Sequence, residues 1–112
     1  MSAPRLTVPL VLEDAGRQAD GMGGYRVAWQ PLGVLHAAMR AGGGVERAGE
    51  VGAESVVIWR ITVRGARAGD PRRPRAGQRF RMGARVFRID AVAEADGAGL
   101  WLECRAREEG QT

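Results

Sequence analysis

Catalysis and metal binding need sets of side chains that the 112-residue chain barely supplies, since it holds one histidine, His36, and one cysteine, Cys104. One of each makes no zinc site without several carboxylates, and a lone cysteine makes no intrachain disulfide. The two serines, Ser2 and Ser55, lack the strand-to-helix elbow that activates a nucleophile. His36 lies in an apolar run and reads as a packed or interface side chain, and Cys104 as a small buried hydrophobe. No catalytic residue, metal or cofactor is expected.

The stretch DGMGGYRVAW places Gly21, Gly23 and Gly24 close together. A dinucleotide loop needs G-x-G-x-x-G before a helix, and a P-loop needs Lys followed by Ser or Thr. Neither pattern occurs, and the residues after Gly24 alternate like a strand. These glycines are expected to turn the chain through positive φ.

Guanidinium chemistry is the remaining signal. All 17 basic side chains are arginine, lysine is absent, and the net charge is +4. Codon usage in a GC-rich genome and selection for binding phosphate or carboxylate both account for this. From Ser55 to Ile89 there are ten arginines and one acid, Asp70. Such a segment could follow a nucleic-acid backbone. Base stacking is not expected, because Trp59, Phe80 and Phe87 fall on the inward parity of their strands.

The elements that must carry these groups are strands. Leu6, Val8, Leu10 and Leu12 alternate with Arg5, Thr7, Pro9, Val11 and Glu13, and Pro9 places that strand at an edge or beside a bulge. Tyr25, Val27 and Trp29 alternate next. Pro31 and Gly33 interrupt the run before it resumes to Met39, as in a long bulged strand; a short helix over 32–40 is the alternative. Residues 41–54 are rich in glycine and read as a long loop, compatible with a weak helical turn near 45–48. Val57, Trp59, Ile61 and Val63 form one face of the clearest strand.

Beyond the Pro-Arg loop of residues 66–76, two hairpins can be put in register. A type II′ turn at Gly83-Ala84 pairs Phe80 with Phe87 and Gln78 with Ile89. A turn at Gly97-Ala98 pairs Ala91 with Cys104, Ala93 with Leu102 and Ala95 with Leu100, carrying Leu100 and Leu102 into the core. On the opposite face Arg79 meets Arg88, Arg88 meets Arg107, Asp90 meets Arg105 and Glu94 meets Trp101. Like charges directly across a sheet repel, so this row either splays into water and nearby acids or meets an acidic partner.

The expected fold is therefore all-β, a small barrel or sandwich of about six strands. It is one domain over 1–112, with a loop at 41–54 and a flexible tail at 108–112. No leader peptide and no apolar run of membrane-spanning length is present, which fits a protein made in the cytoplasm without a membrane partner.

The order of motifs resembles the head–tail joining, or head-closure (stopper), proteins of tailed bacteriophages and gene transfer agents. The matching residues are Asp20, Gly23, Gly24 and Trp29; Trp59-Arg60-Ile61-Thr62-Val63-Arg64; Gly77, Phe80, Gly83, Phe87, Ile89, Ala91 and Val92; and Leu100, Leu102, Cys104 and Arg105. The family often has tryptophan and alanine where Leu35-His36-Ala37 stands, and a more polar or helical loop after the second strand. The resemblance implies a non-enzymatic connector of a phage-like particle, assembled in the bacterial cytoplasm. It would form a homo-oligomeric ring between the portal or adaptor above and the tail terminator or tail tube below, with packaged double-stranded DNA in its channel. By position, the channel loop would be Gly42, Gly43, Gly44, Val45, Glu46, Arg47, Ala48, Gly49, Glu50, Val51, Gly52, Ala53 and Glu54. Candidate interface or DNA-facing residues are Arg60, Arg64, Arg72, Arg73, Arg75, Arg79, Arg88, Trp101 and Arg107. A small nucleic-acid-binding barrel of the OB type is the alternative, weakened by the lack of outward aromatics.

Overall fold

Alternation of apolar and polar residues is the dominant local pattern in this chain, and antiparallel strands are what it builds. The computed structural model describes residues 3–49 and 52–110, with side chains over 3–42 and 56–110. Six strands occur among the described residues: β1 (Val8–Ala19), β2 (Tyr25–Gly49), β3 (Gly52–Arg64), β4 (Arg79–Met82), β5 (Arg85–Glu94) and β6 (Trp101–Glu108). They form one antiparallel sheet in the order β1-β2-β3-β6-β5-β4, closed by pairing of β4 with β1.

Inward positions alternate as a closed sheet requires. Leu10, Leu12, Ala37, Ile61, Val63, Phe80, Phe87, Ile89, Leu102, Cys104 and Ala106 fill the interior, and Leu35, Met39, Trp59 and Val92 pack against them. Pro9 sits where β1 pairs with β2 alone, because β4 reaches only Val11 to Glu13. The Gly83-Ala84 turn sets Phe80 opposite Phe87. Gly83 has φ +60 and Ala84 is not in the positive region, as type II′ requires.

Both long hairpins outrun the barrel. β1 leaves β4 after Glu13, so Asp14–Ala19 and Tyr25–Gln30 form a two-stranded ribbon. At the other end of β2, residues 44–49 pair with 52–57 beyond the reach of β6, whose pairing with β3 begins at Ile58. Each ribbon departs at an irregularity in β2: Leu32 is the extra residue at the first, Gly42 and Gly43 at the second. Bulges bend a strand and raise its twist, so they mark where each arm leaves the wall.

Three expectations are corrected, and one open alternative is decided in favour of the bulged strand. Residues 41–54 are not a loop: β2 and β3 continue through them, paired at Ala41↔Trp59 and, past the bulge, from Gly44↔Val57 to Gly49↔Gly52, and the remaining positions, 50 and 51, lie outside the described residues. Glycine disfavours a strand only by intrinsic preference, and pairing along the partner strand outweighs it. Residues 32–40 are strand, not helix. A bulge at Asp90 shifts the last hairpin, so Val92 rather than Ala91 meets Cys104, Glu94 meets Leu102, and Leu100 is 62% exposed. The larger apolar side chain, Val92, thereby takes the inward site. Finally, the proposed tail begins too early: Glu108 ends β6, and Glu109 donates its backbone N–H to Val86 O at 2.9 Å.

Candidate interaction surfaces

The glycine cluster is a turn. Asp20 Oδ1 accepts from the backbone N–H of Met22 (2.7 Å) and Gly24 (3.0 Å), while Gly21 and Gly23 have φ +80 and +84. The carboxylate fills the place a bound anion would need.

One end of the barrel is capped by an arginine. Arg85 lies over the rings of Phe87 (5.1 Å) and Trp59 (5.6 Å). It donates to Glu108 from Nε at 2.8 Å and from a terminal nitrogen at 3.0 Å, and Trp59 Nε1 donates to the same carboxylate at 2.9 Å. The hydrogen bond from Arg85 outweighs the opposing effect of burial and holds the Glu108 carboxyl below its ordinary value.

The arginine row across β4, β5 and β6 is satisfied within the chain. Arg79 faces Arg88, and Arg88 faces Arg107. Glu13, almost fully buried, accepts from Arg79 Nε at 2.7 Å and from Arg81 Nε at 3.1 Å. Burial alone would raise the Glu13 pKa, but the hydrogen bonds from Arg79 and Arg81 win and lower it. Trp29 reaches past its cross-strand neighbour Ala15, and its ring lies 4.2 Å from the Arg79 guanidinium and 4.9 Å from that of Arg88. The negative face of one indole thus serves two like charges. Arg88 also meets Glu109 at 3.6 Å, and Arg107 meets Asp90 at 2.9 Å.

The Pro-Arg loop is likewise internally bound. Asp70 accepts from the Arg72 guanidinium (3.0 Å) and backbone (2.8 Å), which hold its carboxyl below the usual range. Arg73 donates to Ala66 O at 2.8 Å, and Arg75 lies 3.8 Å from Asp14. Arg64 stacks over its cross-strand partner Trp101 at 5.6 Å. Of the eight arginines among the interface candidates, Arg60 is therefore the one with neither a carboxylate, a carbonyl nor an aromatic partner among the described residues.

Arg60 stands in a row that sequence reading did not assemble. Its partners in register are Arg40 on β2 and Arg105 on β6. Arg40 and Arg105 are exposed, and neither has a carboxylate partner among the described residues. A shallow cleft of about 250 Å³ adjoins the row, lined by Ala38, Met39, Arg40, Arg60, Thr62 and Glu103. The three arginines are 20 and 45 positions apart in sequence, so only the strand order joins them.

No catalytic arrangement emerges from the lone reactive groups. His36 is exposed on β2, beside an open cleft of about 640 Å³ that Leu6, Leu35, Arg64 and Arg67 also line. Cys104 is fully buried, and burial pushes its thiol up to about 12. Among the described residues no three His, Cys, Asp or Glu side chains gather to hold a metal, and no helix is long and apolar enough to cross a membrane.

Comparison with known proteins adds the following. The family model for phage head completion protein matches residues 1–109. A solved chain from the virion of a native gene transfer agent particle is 54% identical, with a TM-score of 0.84, covering 98% of this chain and 100% of that one. No curated protein matches.

Proposed function

The chain belongs to the phage head completion protein family, and from that premise we propose that it acts as a ring subunit closing the head of a phage-like particle and joining it to the tail. The family is a structural component of the virion and not an enzyme. The virion is accordingly where the chain acts, and the likeness to a gene transfer agent chain favours that kind of particle.

The observation that carries the ring reading is the pair of arms leaving opposite ends of β2. A barrel alone offers little side surface, whereas two ribbons add to it; the described residues span 51 Å along their longest axis. Such projections suit heterologous contacts, in which one surface of a subunit meets a different surface of the next and the rotation closes a ring. The portal or adaptor and the tail are the partners proposed at the ring's two faces.

The arm of residues 42–54 is the proposed channel element. Its sequence holds Glu46, Glu50 and Glu54 against Arg47. Packaged DNA would be repelled by that charge, so the arm would retain DNA by obstruction and release it without a strong hold on phosphate.

Replacing residues 46–55 by Asn-Gly, a two-residue hairpin turn, tests this. The shortened chain should still fold and enter particles, and those particles should lose DNA or fail to gain tails. Normal DNA retention and normal tails would remove the gating role, and assembly without this chain at the head–tail junction would remove the ring.

A further inference from the structure

We propose that the Arg40–Arg60–Arg105 row is a docking site for a carboxylate-bearing segment of an adjacent protein subunit, distinct from the arms. Three guanidiniums lie in register on three neighbouring strands, β2, β3 and β6. Like charges set directly across a sheet are unfavourable. Elsewhere on the barrel wall the same conflict is relieved inside the chain: Glu13 and Trp29 serve Arg79, while Trp29 and Glu109 serve Arg88. No such relief is present at this row among the described residues. Arg5, Arg26 and Arg67 also lack an acid there, but they lie on separate segments.

Geometry favours carboxylates. Neighbouring strands are about 4.8 Å apart, so the row is about 10 Å long, and alternate side chains of an extended segment, about 6.7 Å apart, fit within it. Each guanidinium presents five N–H donors in a planar fork suited to a carboxylate. Glu103 lines the cleft beside Arg40 and Arg60, and would accept from a hydroxyl or basic group next to the docked acids.

The same features disfavour nucleic acid. A phosphate backbone carries a charge at every nucleotide and has no donor to offer Glu103 beside Arg40 and Arg60, whereas a protein segment can set a hydroxyl or basic side chain next to its acids.

Because the chain has no lysine, a single Arg60→Lys substitution creates a unique side-chain amine at the centre of the row. Particles carrying R60K are treated with a zero-length carbodiimide, which joins an amine to a carboxylate in contact with it, and the linked peptides are read by mass spectrometry. The expected product is an amide between residue 60 and an Asp or Glu of another chain, formed in particles and not in the free subunit. A second variant, R40E/R60E/R105E, should keep its strand circular dichroism and enter particles about tenfold less, since charge reversal makes the contact repulsive. Three results overturn the proposal: a link only to Glu103 of the same chain, free reaction of the amine with an acylating reagent in intact particles, or protection that disappears when the particles are emptied of DNA.

Discussion

Arg79 donates from Nε to Glu13 Oε1 at 2.7 Å, an ion pair between residues 66 positions apart with both side chains largely withdrawn from water. The bond joins the closing strand β4 to β1, where the barrel is seamed by only three residue pairs. With few backbone bonds there, this pair and its companion from Arg81 carry much of the closure.

Glu13→Gln should therefore cost stability in a pH-dependent way. The Glu13 carboxyl is held below its ordinary value in the fold, so its contribution is complete above the unfolded value near 4.5 and disappears as pH falls through the lower folded value. At pH 7 the substitution should cost about 1–2 kcal/mol, discounting the half-exposed Arg81. Thermal melts from pH 7 to pH 2 should show the two curves converging in acid; a constant gap would refute the role given to the ionised carboxylate.

Trp29→Ala should loosen the first arm and leave the barrel intact. Two cation–π contacts are lost, each worth about 0.5–1 kcal/mol. Amide exchange over 14–19 and 25–30 should accelerate about tenfold, the equivalent of about 1.4 kcal/mol, while β5 and β6 keep their protection. Equal acceleration everywhere would mean that the indole supports the whole fold instead.

Gly65→Ala should be among the most damaging small changes. A methyl group at Gly65 would run into the carbonyl oxygen of Gly99, and that backbone cannot retreat easily because Gly65 N donates to Leu100 O at 2.8 Å. Overpacking of this kind costs about 1–3 kcal/mol, a fall in Tm of about 5 °C or more. Gly110→Ala, at an open position, serves as the neutral comparison.

Cys104 should resist thiol reagents in the native state. Burial raises its thiol to about 12, so both access and the thiolate fraction are minimal. Labelling should appear only across the unfolding transition; stoichiometric labelling of the folded subunit at pH 8 would contradict the packing.

Much of the barrel could be read from residue order, because alternation and turn chemistry are local. Gly83-Ala84 fixed the phenylalanine pair, and parity placed Trp59, Ile61 and Val63 inward. The bulge between Pro31 and Gly33 was legible from those two residues and lies at Leu32. Those at Gly42 and Gly43 and at Asp90 were not, because packing on a neighbouring strand decides there which residue faces in, and the last of them moved Leu100 from core to surface. The arginine surface was legible only in part for a related reason. Arg79, Arg88 and Arg107 were aligned correctly, yet Glu13 and Trp29, the groups that neutralise or cover them, arrive from strands whose adjacency depends on closure. Arg40, and the pairing of Arg105 with Arg60, escaped notice because no local pattern connects the three; Arg105 was set opposite Asp90, where the bulge places Ala91 instead.

β2 runs without a break from Tyr25, at the tip of the first arm, through the barrel wall, to Gly49 in the other arm. A pull on either tip is borne along a single covalent backbone whose flanking ladders are loaded in shear, many hydrogen bonds at once, where a pull across a short strand would unzip them singly. For the head-closing role proposed for the chain, such a tie rod would resist the pressure of a filled container.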